Sequence, residues 1–425
     1  MKKNSIKKQF PILQQKINGK PVIYLDSAAT TQKPQCVIDS LSEYYTEYNS
    51  NIHRSSHKLS QKATSKWIEA HKVVADFLNA GTYEEIIFTR NCTEGINLFV
   101  NTYAKQNLQK GDIVVLTEME HHSNIVPWLM LQKEVGFDIE YIPVKDNYKL
   151  DIKWYEELIK KEKDRVKIVS IIHLSNVLGI VNDIKKITEL GHSIGAVVLI
   201  DAAQSVARLP IDVQDIGCDA LVFSGHKIYG PTGSGCIYIK KEILEELPPY
   251  MGGGEMIKEV NRKSFTLNGL PWRFEAGTPD IADGIALAVA ISWFKETIKN
   301  IGGYEVLIQH EKNLISRFIS KFEGLDWFKL FGKRERIGVI SFNLEGFSFM
   351  GCKKETLESN DQGKKILDFI SSRGLCIRDG FHCAQPLHTR FSIGPTMRVS
   401  VGIYTDERDI DRAVQIIKQG VLRTM

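Results

Sequence analysis

Several strand-like runs in this 425-residue sequence end on side chains that can do chemistry. The apolar run Ala220–Phe223 is followed at once by Ser224, His226 and Lys227. A lysine at the end of a buried strand is costly unless it has a use. Desolvation lowers its pKa and turns the amine into a nucleophile able to form an imine. A surface lysine in a loop explains this segment, taken alone, equally well. The next residues, Gly230-Pro-Thr-Gly-Ser-Gly235, must form a tight turn. They begin like a phosphate-binding P-loop. That motif then needs Lys and Ser or Thr, and here Cys236 and Ile237 follow, so the reading is rejected.

Three further runs have the same character. Asp201 comes directly after Val197–Ile200, and Gln204 lies three residues on. A buried carboxylate there suits a protonated ring nitrogen of a cofactor, which it keeps charged and electron-accepting. Gln204 can then donate to a ring oxygen. A helix N-cap is an equally good role for Asp201 in isolation. In Phe88–Asn97 a strand gives way to a helix whose first turn holds Thr93, Glu94 and Gly95. Helix N-termini bind phosphate well, and Thr93 adds a hydroxyl; plain capping is compatible with that. Glu118-Met-Glu-His-His-Ser-Asn124 again follows a strand. An imidazole there can stack on a ring or move protons, although a lone His pair is more often structural. An amine, a carboxylate, a phosphate cradle and an imidazole at strand ends of one sheet form a joint pattern that chance does not readily supply.

The elements that must position these groups follow from periodicity. Glu85–Thr89, Asp112–Thr117, Val166–Ile172, Val197–Ile200, Ala220–Phe223 and Cys236–Ile239 read as buried strands. Ile184, Ile187, Leu190 and Ile194 mark one face of a helix between two of them. Alternating strands and helices predict an α/β fold with a mostly parallel sheet covered on both sides. Ligands then bind beyond the carboxyl ends of the strands, where the polar residues above lie. Texture changes near residue 297. Helices come first, then strands over Gly338–Leu344, Leu375–Arg378 and Met397–Val401, and a last helix from about Glu407. The expected organisation is an N-terminal segment (1–20) packing with a small domain, a large domain (21–296) and a small α+β domain (297–425). The polar stretch Gly346–Lys365 reads as a loop.

Bulk composition excludes several classes. The net charge of +4 is too small for a nucleic-acid-binding face. No apolar run reaches the ~18 residues of a membrane span, and the N-terminus has no signal core. Seven scattered cysteines without a C-x-x-C pair suit a reducing, cytoplasmic setting and argue against zinc or disulfides.

With these residues in hand, the chain resembles the class V aminotransferase group of fold-type I pyridoxal-phosphate (PLP) enzymes. Within that group it is most similar to the SUF-type cysteine desulfurases, which include selenocysteine lyase-like members. The motifs are Tyr24-Leu-Asp-Ser-Ala-Ala29, Ile52-His-Arg54, Met119–Trp128, Leu174-Ser-Asn-Val-Leu-Gly179, Ser224-Gly-His-Lys227, Arg273–Pro279 and Arg378–Ala384. The resemblance implies that Lys227 forms the imine with PLP, Asp201 faces the pyridine nitrogen, and Gln204 meets the ring oxygen. It implies that His122 stacks on the ring and that Thr93, Ser224 and His226 hold the phosphate. Thr278 would reach the phosphate of a second subunit, so a homodimer is expected. Asn176 and Arg398 would hold the substrate carboxylate, with Arg378, His53 and Arg54 nearby.

Cys383 is the sulfur-carrying residue under this resemblance. Gly380 and Pro386 put it in an exposed loop, and Arg378 and His382 are expected to favour the thiolate. A buried, inert cysteine is the bland alternative. The implied reaction takes sulfur from L-cysteine (or L-selenocysteine's selenium), gives alanine and a Cys383 persulfide, and passes sulfur to an acceptor protein for iron–sulfur cluster assembly. The same cofactor also serves transaminases and kynureninase-like lyases, which need no thiol at 383. A scaffold without catalysis is the remaining alternative. Two departures from the family pattern stand out. Phe381 occupies a position where many relatives carry a second His. Cys92 replaces a residue that is often hydroxylic, which predicts one phosphate contact fewer.

Overall fold

The computed structural model describes residues 4–347 and 361–424. Its centre is a seven-stranded sheet: β1 (Ile86–Thr89), β2 (Ile113–Thr117), β3 (Asp138–Ile142), β4 (Val166–Ile172), β5 (Val197–Asp201), β6 (Ala220–Ser224) and β7 (Gly235–Ile239). The order is β1-β7-β6-β5-β4-β2-β3. Strands β2 to β6 pair in parallel, while β7 runs antiparallel to β1 and β6. The apolar strands of the sequence are therefore all present, and all but β1, which forms one edge, are central. The added strand is β3, Asp138-Ile-Glu-Tyr-Ile142, a half-exposed edge whose apolar residues alternate with polar ones. Its weak apolar signal hid it from a search for buried runs.

Helices cover the sheet because their apolar faces have nowhere else to go. The helix Ile184–His192 buries Ile184, Ile187, Thr188 and Gly191, and Asp183 caps it by accepting from Lys186 N. Lys58–Leu78 packs against Ile281–Ile301. Gly284 makes that contact possible, since a Cβ there would fall 2.3 Å from the Trp67 ring. Residue 296, where sequence texture changes, falls inside Ile281–Ile301.

The smaller sheet is antiparallel: β8 (Phe328–Phe331), β9 (Val339–Leu344), β10 (Arg378–Gly380) and β11 (Thr396–Ser400), in the order β8-β9-β11-β10. Helices Tyr304–Ser320, Asp361–Ser372 and Glu407–Thr424 accompany it. The expected strand Leu375–Arg378 is two pieces. Leu375–Cys376 pairs in parallel with Ile23–Tyr24, and the chain then turns into β10. The expected loop Gly346–Lys365 is corrected at its end, where 361–365 begin a helix; most of the rest, with Cys352, lies outside the described residues. The N-terminal segment ties the two sheets' regions together. Ile6, Phe10 and Leu13 join the large core, and Lys7 pairs with Asp409 at 2.6 Å. No described helix is long and apolar enough to cross a membrane.

Candidate active site

The carboxyl ends of β5 and β6 deliver Asp201 and Ser224–Lys227 to one cavity of about 300 Å³. Its walls include Cys92, Thr93, His121, Asn176, Asp201, Gln204, Ser224, His226, Lys227, Arg378, Cys383 and Arg398. Eleven of these positions are the sequence candidates, and His121 is new. The cavity thus joins strand ends of the large sheet to the β10–β11 region of the small one.

Lys227 ends a short 3₁₀ turn after β6 and is partly buried, on the wall of the cavity. Burial lowers its pKa, and the Asp201 carboxylate opposes that. Asp201 is itself buried, which raises its pKa, while the Lys227 charge lowers it. Its Oδ1 accepts from Ala203 N at 2.8 Å. Gln204 Nε2 donates to Ala28 O at 2.7 Å, and Arg208 Nη1 approaches Gln204 Oε1 at 3.4 Å, which fixes the amide's orientation. Cys92 does not meet the phosphate corner with its thiol. Sγ instead donates to Asp201 Oδ1 at 3.5 Å, and its backbone N–H donates to Ser224 Oγ at 2.9 Å. Burial and the neighbouring Asp201 push the Cys92 thiol well above the ordinary range.

Thr93 stands in the first turn of Cys92–Phe99, capped by Asn91, and its hydroxyl lies 2.7 Å from Ser123 Oγ. Gly235 on β7 lets this helix end come close. A Cβ there would sit 2.8 Å from Asn91 Cα and 2.7 Å from Phe223 O.

The choice of His122 is corrected. His121 is the imidazole in the cavity, and His122 lines a separate groove with Ile125, Leu129 and Pro386. His121 Nδ1 accepts from Ser123 N at 3.1 Å, which leaves the proton on Nε2. Burial and the Lys227 charge push its pKa down to about 3, so it is neutral. His121 is the extended residue that caps the 3₁₀ turn His122–Asn124, and His122 opens that turn, so the two rings enter different cavities. His122 serves the cysteine loop: its N–H donates to Cys383 O at 2.7 Å, and Nε2 accepts from Gln385 N at 3.3 Å.

Cys383 is exposed and reaches the cavity from a turn with two consecutive left-handed residues, His382 (φ 49°) and Cys383 (φ 55°). Such φ values are costly outside glycine, and surrounding bonds must hold them. Asn176 Nδ2 donates to His382 O at 2.7 Å, and His382 Nε2 meets Thr396 Oγ1 at 3.0 Å. His382 does not supply the expected positive charge. Burial and the adjacent Arg398 push its pKa far below the imidazole range, so it is neutral. Arg378 remains as the cation of this loop.

Arg398 is 3% exposed, and its Nε has no partner; Asn176 Oδ1 is equally buried and unpartnered. Burial pulls the Arg398 pKa down to about 10, and Asp26 opposes that. Buried polar atoms without partners are rare, and these two lie on a cavity wall, where a ligand can satisfy them. Three candidates lie elsewhere in this chain. Arg54 pairs with Glu255 at 2.7 Å, and the His53 ring lies 4.6 Å from that of Trp272. Thr278 lines a second cavity with Trp67, Ser234 and Glu275.

Residues 23–413 match the family described as aminotransferase class-V. The chain belongs to this family. A probable cysteine desulfurase of Halalkalibacterium halodurans is 41% identical over 97% of this chain and 96% of its own length. A cysteine desulfurase of Haloferax volcanii is 38% identical over 97% of this chain and 96% of its own. Among solved structures, the apo cysteine desulfurase of Thermococcus onnurineus NA1 superposes with a TM-score of 0.88 at 32% identity, covering 99% of this chain and 98% of that one. The cysteine desulfurase CsdA of Escherichia coli gives 0.87 at 31%, covering 100% and 99%.

The fold is thus the class V architecture expected from the sequence. The site also fits the cofactor on its own chemistry. It offers a partly buried amine, a buried carboxylate beside it, a helix N-terminus with hydroxyls, and a neutral imidazole on the same wall.

Proposed function

We propose that this protein is a PLP-dependent cysteine desulfurase. The observation that carries the reading is that Lys227 and Cys383, from different sheets' regions, line one cavity with Arg398 and Asn176. Lys227, Asp201, Gln204 and His121 would hold the cofactor ring. Thr93, Ser224 and His226 would hold its phosphate, with the N-terminus of Cys92–Phe99. When bound, PLP supplies an electron sink for the substrate's Cα–H bond.

The chain's own residues do the rest. Asp201 would keep a proton on the ring nitrogen through its negative charge. Lys227 Nζ, whose pKa burial lowers so that the neutral amine is accessible, would take the Cα proton. Arg398 and Asn176 hold the substrate carboxylate and so aim its side chain toward the 378–384 turn. Cys383 Sγ attacks the sulfur of L-cysteine; the S–S bond of a Cys383 persulfide forms as the substrate Cβ–S bond breaks, the electron pair of that bond stays with the carbon fragment, and once Cβ and Cα are protonated the fragment leaves as alanine. The persulfide passes to a thiol of an acceptor protein in iron–sulfur cluster assembly. We place the reaction in the cytoplasm, in a homodimer to whose partner cleft Thr278 contributes. L-Selenocysteine is the alternative substrate. A transaminase would leave Cys383 without a task.

The test is to incubate PLP-loaded protein with L-cysteine and a thiol reductant and to quantify alanine, sulfide and keto acid. The reading expects alanine and sulfide in equal amounts. Keto acid in their place would make the protein a transaminase.

A further inference from the structure

The peptide carbonyl between His226 and Lys227 is gripped from outside its own turn. Four donors converge on His226 O, and all belong to the segment Thr30–Lys33. They are Thr31 N at 2.9 Å, Thr31 Oγ1 at 3.0 Å, Thr30 Oγ1 at 3.1 Å and Lys33 Nζ at 3.3 Å. Thr31 Oγ1 also accepts from Tyr229 N at 2.8 Å, so the segment straps the chain on both sides of Lys227. The strap has anchors of its own. Tyr24 Oη donates to Thr30 O at 2.8 Å, and Gln32 N donates to Tyr404 Oη at 3.2 Å.

Lys33 is the charged member of the strap. Its ammonium also donates to Thr31 O and, at 3.4 Å, to Thr30 Oγ1. Two carbonyl oxygens that would repel each other thus share one cation. Burial pulls the Lys33 pKa down to about 8, so at neutral pH it is mostly an ammonium. Hydrogen bonds from a charged donor are stronger than neutral ones. Lys227 itself has a long, flexible stem, so the placement of its backbone decides where Nζ can go. The firmest grip on that backbone comes from a residue that does not line the cavity.

We propose that Lys33 is a positioning residue for Lys227: by drawing His226 O and Thr31 O onto one ammonium, it fixes the peptide from which the imine-forming amine enters the cavity. This rests on the PLP reading, in which Lys227 forms that imine. The phosphate corner depends on Lys33 far less. Thr93 and Ser224 stand on the helix Cys92–Phe99 and on β6, and Lys33 bonds to neither. Loss of Lys33 therefore weakens imine formation more than it weakens recognition of the ring and phosphate.

The experiment measures, by equilibrium dialysis, the affinity of cofactor-free full-length protein for PLP and for pyridoxine 5'-phosphate. The second compound has the same ring and phosphate but an alcohol in place of the aldehyde, so it forms no imine. Lys33→Met should lower the preference for PLP over the alcohol by about tenfold, the scale of one hydrogen bond from a charged group. Lys33→Arg keeps the charge and the donors and should retain most of the preference; a loss equal to that of Lys33→Met would overturn the proposal. So would equal losses for both compounds in Lys33→Met, which would give Lys33 a general structural role. If Lys33→Met does not fold, Lys33→Gln takes its place with the same expectation. A wild-type protein that binds PLP no more tightly than the alcohol would overturn this proposal and the PLP reading together. A normal wild-type preference that Lys33→Met leaves unmoved removes Lys33 alone.

Discussion

Lys227 and Asp201 set each other's charge inside a space that disfavours charge on either. Burial lowers the pKa of one and raises that of the other, and each counteracts the shift of its neighbour. Burial thus makes the Lys227 amine easier to deprotonate, as imine formation and proton abstraction require. Lys227→Ala should reduce alanine formation to background while the protein stays folded by circular dichroism; retained turnover would give the base role to another group. The two histidines at 121 and 122 separate by the same logic. His121→Ala should change the absorbance of the PLP-loaded protein and lower kcat by about 100-fold or more. His122→Ala should leave that absorbance alone, because its ring faces the groove behind the cysteine turn. Equal spectral effects would show that the ring in the cavity is not what matters.

At the scale of elements, strand ends do the positioning, and a glycine regulates how close one helix comes. Gly235→Ala would force β7 against Phe223 O and the Asn91 backbone, displacing the helix end that carries Thr93. The expected cost is about 1–3 kcal/mol of stability, read by thermal denaturation, with weaker cofactor retention on dialysis. The buried strands were legible because Val166–Ile172 and its neighbours are enclosed on both faces and hence apolar throughout. Edge strand β3 was not, because one face meets solvent. Asp201 and Ser224 could be found because each follows an apolar run directly, and Gln204 and Lys227 because they lie three residues beyond them. His121 could not be chosen over His122, since which of two adjacent residues turns inward is decided by the Ser123 N–H that anchors the ring. The neutrality of His382 was hidden too, since it follows from burial and from Arg398, brought in from β11.

On the whole-molecule scale, the two regions meet through buried charge. Arg208, seven residues after Asp201, reaches Glu311 of helix Tyr304–Ser320 at 3.3 Å, with both side chains almost wholly enclosed. Burial raises the Glu311 pKa from 4.5 to about 7, against the pull of Arg208. A raised folded-state pKa gives stability that is complete below the unfolded value and is lost as pH rises through the folded one. Relative to wild type, Glu311→Gln should therefore look more stable at about pH 8.5 than at about pH 5.5 by melting temperature. A pH-independent difference would mean that Glu311 does not titrate in this window. The same meeting of regions brings the Cys383 turn to the lysine, and the account depends on that. The most direct measurement is the mass of the Cys383 peptide after the PLP-loaded protein meets L-cysteine without reductant. Wild type should show one added sulfur on Cys383, while Lys227→Ala and Cys383→Ser should show none there. An added sulfur on another cysteine, or one on Cys383 that persists without Lys227, would contradict the claim that both act on the same bound amino acid.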